Sequence, residues 1–129
     1  MNKILVEVSV GELLDKISIL EIKSEKIKDP EKLNFINYEY KILKDQLNTN
    51  IKNYSEIESL YNSLKEINSK LWVIEDDKRL CEKNSDFGEK FIKLSRDVHF
   101  LNDERAKLKL EINNKTGSKI KEIKEYTKY

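Results

Sequence analysis

Apolar side chains recur every three or four residues through most of the chain, which is the spacing that buries one face of an α-helix. The pattern predicts four helices, over about residues 9–27, 30–47, 55–83 and 87–114. The last two are long neighbours in sequence and favour an antiparallel hairpin with coiled-coil-like packing, while the first two favour a shorter hairpin. We therefore predict an all-α fold, with four amphipathic helices in two antiparallel hairpins that pack as a bundle.

Local signals mark the predicted helix starts. Ser9 is followed three residues later by Glu12, which is the spacing of a capping box, and Ser55 is followed by Glu58 in the same way. Asp29 stands before a proline, the residue that is favoured at the first helical position. These signals predict helix starts at Ser9, Asp29 and Ser55.

The two ends of the chain lack helical spacing. Residues 3–8 are rich in β-branched side chains and alternate roughly between apolar and polar, which predicts a short strand. Residues 118–129 either pair with that strand as an extended tail or are frayed. The whole chain, 1–129, is predicted to form a single helical domain.

Composition narrows the class of protein. A chain of 129 residues suits one domain, and 38% hydrophobic residues are too many for a disordered chain. The net charge of +1 argues against a nucleic-acid binder, and no apolar run approaches the ~20 residues that span a bilayer. Because Cys81 is the only cysteine, no internal disulfide can form, and we expect a cytoplasmic location.

The first two predicted helices are apolar on two sides. A second set of apolar residues points away from their main stripes, and it consists of Ile19, Ile22, Phe35, Tyr38 and Ile42. Either another part of the same chain covers this second side, or a partner does. The small size of the chain limits internal cover, so we expect a homo-oligomer or a complex with another protein.

Several polar side chains fall on or near the stripes that should be buried. They are Glu21, Glu75, Asp76, Arg79, Asn102 and Arg105. An unpaired buried charge costs several kcal/mol, so these groups need partners or water. Arg105 is expected to bridge Glu21 or to bond Asn68. Three interpretations stay open: a buried polar network that fixes helix register, a ligand-binding cleft between helices, and a catalytic carboxylate site.

No metal, cofactor or catalytic residue is predicted. Glu75, Asp76 and Asp77 are consecutive, and consecutive side chains on a helix diverge by ~100°, so they do not converge on one ion. His99 lies off the apolar stripe without a cysteine or a second histidine nearby. Cys81 is interpreted as a small buried apolar side chain.

Three blocks of the sequence carry a family resemblance: VSVGELLDKISILEIKSEKI, LWVIEDDKRLCEK and DFGEKFIKLSRDVHFLNDERAKLKLEIN. Together they resemble a family of short bacterial proteins known only as a domain of unknown function. The resemblance implies an all-helical fold of about this size, found near surface-glycan and glycosyltransferase genes. Its motif positions include Glu21, Glu75, Asn102 and Arg105, whereas Lys78 departs from the apolar residue that the family prefers.

Two hypotheses about function follow. The leading one is a non-enzymatic helical interaction or accessory module that self-associates. The alternative is a ligand-binding or enzymatic module for an anionic substrate, such as a nucleotide-sugar or a phosphorylated molecule, linked to surface-glycan biosynthesis. In that case Arg79 and Arg105 would hold the anion, and Glu75 or Asp76 would hold a metal or a proton. A weaker third hypothesis, membrane-surface binding by the lysine-rich tail, is opposed by its glutamates.

Overall fold

The computed structural model describes residues 2–129, and residue 1 of the predicted domain lies outside them. The described chain forms helices α1 (Val10–Lys26), α2 (Pro30–Asn50), α3 (Glu58–Lys83) and α4 (Glu89–Thr116), with a short 3-10 helix at Tyr54–Glu56. The prediction of an all-helical fold is confirmed. Among these residues, no helix is both long and apolar enough to cross a membrane.

The start of α1 agrees with the sequence, and the start of α3 does not. Ser9 Oγ accepts a hydrogen bond from the Glu12 backbone N–H at 3.0 Å. Ser55, by contrast, lies inside the 3-10 helix, and α3 begins three residues later without a side-chain cap. Ile57 at this junction is only 1% exposed. Burial of Ile57 in the core therefore overrides the local capping signal.

The connection between α3 and α4 is a tight turn that makes the two helices antiparallel. The Asp86 N–H donates to the Cys81 carbonyl oxygen at 2.8 Å, and Ser85 has a positive φ of 53°. At its other end α4 stops at Gly117, whose φ of 65° is left-handed and favours glycine. Helix α4 therefore ends two residues beyond residue 114, where the apolar pattern placed its end.

Helix α1 lies across the long α3–α4 hairpin. Near its start, Gly11 contacts α4, and one turn later Asp15 contacts both α3 and α4. Further along α1, Glu21 contacts α3. α2 also packs against α1. The centre of the core therefore takes side chains from all four helices: Leu14, Ile17, Leu47, Ile57, Tyr61, Leu64 and Ile112. Each such side chain contributes about 1.5–3 kcal/mol when fully buried.

The strand prediction for residues 3–8 is wrong. Residues 2–9 have no strand or helix assignment, and residues 118–129 do not pair with them. Ile4, Leu5 and Val6 are 86%, 82% and 75% exposed. A strand needs a neighbouring edge with free N–H and C=O groups, but helices satisfy these groups internally. β-branched residues favour a strand locally, but the described part of this fold has no strand edge with which residues 3–8 could pair.

Candidate functional site

A buried ion pair joins α1 to α4. Asp15 is 1% exposed, and both of its carboxylate oxygens are bonded by Arg105: Oδ1 accepts from Nε at 2.9 Å and Oδ2 from Nη2 at 2.5 Å. This two-point geometry is the strongest that guanidinium and carboxylate groups form. Removal of Arg105 would leave the buried Asp15 charge unpaired, which makes the pair a structural element of the fold.

Asn68 extends the same network to α3. Its Nδ2 donates to Asp15 Oδ1 at 2.9 Å and to Ser18 Oγ at 2.8 Å. Ser18 Oγ in turn donates to the Asp15 backbone carbonyl at 2.8 Å. All three residues are buried. One buried polar cluster therefore connects three of the four helices, and this arrangement supports the register-fixing interpretation.

Near its N-terminus α1 touches the backbone of α4. The Gly11 N–H donates to Asn113 Oδ1 at 2.7 Å. A Cβ atom at position 11 would lie 2.6 Å from the Lys109 carbonyl oxygen, which is closer than such atoms approach. Only glycine therefore allows this contact between the helices.

Lys109 joins the same end of α1 to the residues that follow α4. Its Nζ donates to Glu12 at 2.7 Å and to Glu122 at 2.9 Å. Burial opposes the charged form, but hydrogen bonds to these two carboxylates raise the pKa of Lys109 above its ordinary value. Glu12, which the capping-box spacing assigned to the start of α1, therefore also bonds α4.

Glu21 belongs to a second, separate network. Tyr61 Oη donates to Glu21 Oε1 at 2.5 Å, and Lys65 Nζ donates to Oε2 at 3.0 Å and to Glu25 at 3.1 Å. Burial raises the pKa of Glu21, but the hydrogen bonds from Tyr61 and Lys65 outweigh it and leave the pKa below its ordinary value. The expected bridge between Glu21 and Arg105 is not formed, because Asp15 is the partner of Arg105.

A cleft of about 480 Å³ opens between α1 and the α3–α4 hairpin, beside the Asp15–Arg105 pair. Its apolar lining is formed by Ile19, Ile22, Leu71 and Trp72. Glu75, Asp76, Arg79 and Arg105 supply its charged groups. We call this space the cleft, and its volume falls within the range of small-molecule sites.

The charged groups of the cleft are unevenly paired. Arg105 is neutralised by Asp15, and Arg79 lies 3.4 Å from Glu75 on the next turn of α3. Among residues 2–129, Asp76 forms no ion pair and is exposed. The free charge at the cleft is therefore negative.

The structure brings together four of the six predicted polar residues. Glu75, Asp76, Arg79 and Arg105 share the cleft, whereas Glu21 lies in its own network. Asn102 lies on the far side of Arg105, with its Oδ1 3.5 Å from Nη1, and borders a smaller cavity of about 260 Å³. No group of three or more His, Cys, Asp and Glu side chains in the described chain is placed to hold a metal ion.

The five predicted interface residues divide into two groups. Ile22 is 1% exposed and Ile19 is half-buried, so both are covered within the chain at the floor of the cleft. Phe35, Tyr38 and Ile42 remain exposed, at 72%, 70% and 44%. We call these three residues the outer stripe of α2.

The central carboxylate, Asp15, is not among the six polar residues that the apolar stripes predict for the site. Its signal is a second line along α1, spaced four, three and four: Gly11, Asp15, Ser18 and Ile22. These four residues are buried, although three of them are not apolar side chains. A periodicity that counts only apolar residues does not find such a line.

The fold and the site together define an all-helical protein whose first helix is held across a long hairpin by a buried carboxylate–guanidinium pair. The chain belongs to the family of unknown function DUF6165, whose model matches residues 4–129. This match confirms the resemblance to a short domain of unknown function. No curated protein and no solved structure gives a significant match to the chain.

Proposed function

We propose that this chain is a non-catalytic helical interaction module that self-associates through the outer stripe of α2. The observation that carries the proposal is the exposure of Phe35, Tyr38 and Ile42 at 72%, 70% and 44%. Their spacing of three and four places them on one face of the helix. Ile36 and Leu47, which are buried, lie on the opposite face, toward α1. The exposed stripe is therefore not needed for the intramolecular core.

Charge balance favours a second copy of the chain as the occupant of this surface. Within Pro30–Asn50 there are three acidic residues (Glu31, Glu39 and Asp45) and three basic ones (Lys32, Lys41 and Lys44). A symmetric dimer brings α2 of one copy against α2 of the other, and a helix without net charge does so without net repulsion. A 21-residue helix is about 30 Å long, which suits the ~800 Å² that a standard interface buries on each partner.

The polar residues of the protein support the same proposal. Asp15, Arg105, Asn68 and Lys109 are bonded to one another or to neighbouring helices, as described above. Such groups stabilise the fold and are not free to bind a substrate. The alternative function, binding of an anionic substrate, has less support, because Asp15 binds two of the three guanidinium nitrogens of Arg105 and the free charge at the cleft is negative.

Light scattering coupled to size exclusion tests the proposal. The wild-type chain is expected to elute with a mass above the 15.3 kDa of one copy, and Phe35→Glu is expected to return it to that mass. Phe87→Glu is the matched control, because Phe87 is also an exposed phenylalanine, at 53%, but lies in the α3–α4 turn. A monomeric wild type at high micromolar concentration would contradict the proposal, as would a Phe35→Glu variant that associates like the wild type.

A further inference from the structure

Segment 3–8 is the most exposed apolar part of the chain. Every residue from 2 to 8 is exposed, and Ile4, Leu5 and Val6 are three consecutive large aliphatic side chains at 86%, 82% and 75% exposure. Each such side chain contributes about 1.5–3 kcal/mol when it is buried. A contiguous exposed apolar run is typical of a surface that packs against another protein surface or a ligand.

The cleft has the complementary property. Ile19, Ile22, Leu71 and Trp72 line it with apolar surface, and no other side chain of residues 2–129 fills its volume of about 480 Å³. An apolar space of this size accommodates several aliphatic side chains. Segment 3–8 therefore packs against no apolar surface in the described part of its own chain, and the apolar lining of the cleft is uncovered.

We infer that segment 3–8 of one copy docks in the cleft of a second copy. Of the two charged residues in the segment, Lys3 is complementary to the negative charge of the cleft, and Glu7 lies beyond the apolar run. Lys3 stands directly before the apolar run, and Asp76 at the cleft has no ion-pair partner among the described residues. When Ile4, Leu5 and Val6 lie on the apolar lining, the Lys3 ammonium comes close to this carboxylate.

The length of the segment favours a second copy over the same chain. Along α1, Ile19 and Ile22 lie about 15 and 20 Å from Ser9, at 1.5 Å per residue. A fully extended segment running straight back from Ser9 brings Ile4 about 17 Å along the helix, Leu5 about 14 Å and Val6 about 10 Å. Within one chain only Ile4 therefore reaches the level of Ile19, and none of the three reaches Ile22. The segment of a neighbouring copy is not tethered to Ser9 of this chain, so the distance from Ser9 does not restrict how far into the cleft it reaches.

Residues 118–129 are a weaker occupant. Glu122 is bonded to Lys109 of the same chain, and the Tyr129 ring packs on His99 and Phe100 at centroid distances of 5.3 Å. These residues already have partners on α4. Segment 3–8 takes part in none of the side-chain hydrogen bonds or ion pairs formed among residues 2–129.

In the dimer formed through α2, reciprocal docking of two segments in two clefts would keep the two-fold symmetry. The inference rests on the proposed self-association, but it names a contact that does not involve α2. The two ideas can therefore fail separately, and the experiment below distinguishes them.

Disulfide trapping between two differently tagged copies tests the inference. Both copies carry Cys81→Ala, which removes the native thiol; one also carries Leu5→Cys and the other Asp76→Cys. The expected result is a disulfide between positions 5 and 76, mapped by mass spectrometry. The control copy carries Lys70→Cys, since Lys70 is also exposed on α3 but does not line the cleft. Trapping at position 70 is expected to be at least tenfold slower.

A charge exchange provides a second readout with little risk to folding. In the trapping background, with the second cysteine placed at Glu75→Cys, Lys3→Glu is expected to slow trapping several-fold, and Asp76→Lys in the partner copy is expected to restore it. Two results would overturn the inference: equal trapping at positions 70 and 76, or no trapping at all. If trapping fails while the wild type still self-associates and Phe35→Glu abolishes association, the proposed function survives and the inference alone is lost.

Discussion

Arg105 and Asp15 stand 90 residues apart in the sequence, yet their guanidinium and carboxylate groups meet through two parallel hydrogen bonds. This pair brings α1 against α4, and Asn68 adds α3 to it. The residues that looked most like a ligand site in the sequence therefore include the residue that holds the helices together.

Asp15→Ala is expected to lower the free energy of unfolding by about 2–4 kcal/mol, because it leaves the partly buried Arg105 guanidinium and the buried Asn68 amide without their carboxylate partner. Urea denaturation followed by circular dichroism measures the change. The matched control is Glu75→Ala, which removes an i, i+4 pair whose side chains are 75% and 44% exposed and is expected to cost less than ~1 kcal/mol. Similar losses in the two variants would contradict the structural role of Asp15.

Gly11→Ala is expected to destabilise the protein by about 1–3 kcal/mol, because the added Cβ would lie 2.6 Å from the Lys109 carbonyl oxygen. Helix propensity alone predicts the opposite sign, since alanine is favoured over glycine by about 1 kcal/mol inside a helix. Thermal and urea denaturation measure the difference. At Gly88 the nearest atom to an added Cβ is 3.5 Å away, so Gly88→Ala is the control without a steric clash.

Ser9→Ala is expected to cost about 0.5–2 kcal/mol, because Ser9 Oγ accepts the Glu12 N–H at 3.0 Å. Ser55 has the same sequence signal but is not the N-cap of α3, which begins at Glu58. Ser55→Ala is therefore expected to change the free energy of unfolding by less than ~0.5 kcal/mol. Equal costs at the two serines would show that the capping signal acts at both.

The Glu21 network predicts a pH dependence of stability. Because the pKa of Glu21 is lowered in the folded state, its contribution is present above the ordinary value of 4.5 and is lost as the pH falls through the folded pKa. The difference in unfolding free energy between wild type and Glu21→Gln is therefore expected to shrink on acidification below about pH 4.5. Tyr61→Phe removes a hydrogen bond that lowers this pKa, so the same difference measured in that background should depend less on pH. A difference that is constant with pH would contradict this account.

Helical periodicity was sufficient to predict the fold class, because each helix carries an apolar stripe long enough to identify. The prediction failed at residues 3–8, where β-branched composition indicated a strand but the helical fold supplies no sheet edge. It also failed at Ser55, where burial of Ile57 determined the helix start. In both places the packing of the whole fold determines the structure, and it outweighs the conformational preference of the local sequence.

The candidate site was predictable in part. Glu75 and Arg79 are four residues apart on α3, so a shared location beside Trp72 follows from helix geometry. The partner of Arg105 did not follow, because it depends on the direction in which α1 crosses the hairpin. That direction is set by the close contact at Gly11 and by the line that runs through Asp15 and Ser18, whose residues do not follow an apolar pattern.

Sedimentation equilibrium over a range of concentrations tests the central claim, self-association through α2, most directly. The account predicts that the mass of the wild type rises from 15.3 kDa toward twice that value as the concentration increases. Tyr38→Glu is predicted to stay at the mass of one copy, while Tyr126→Glu, which changes a tyrosine of similar exposure (69%, against 70% for Tyr38), is predicted to behave like the wild type. A wild type that remains a single copy at every concentration, or a Tyr38→Glu variant that associates as the wild type does, would contradict the account.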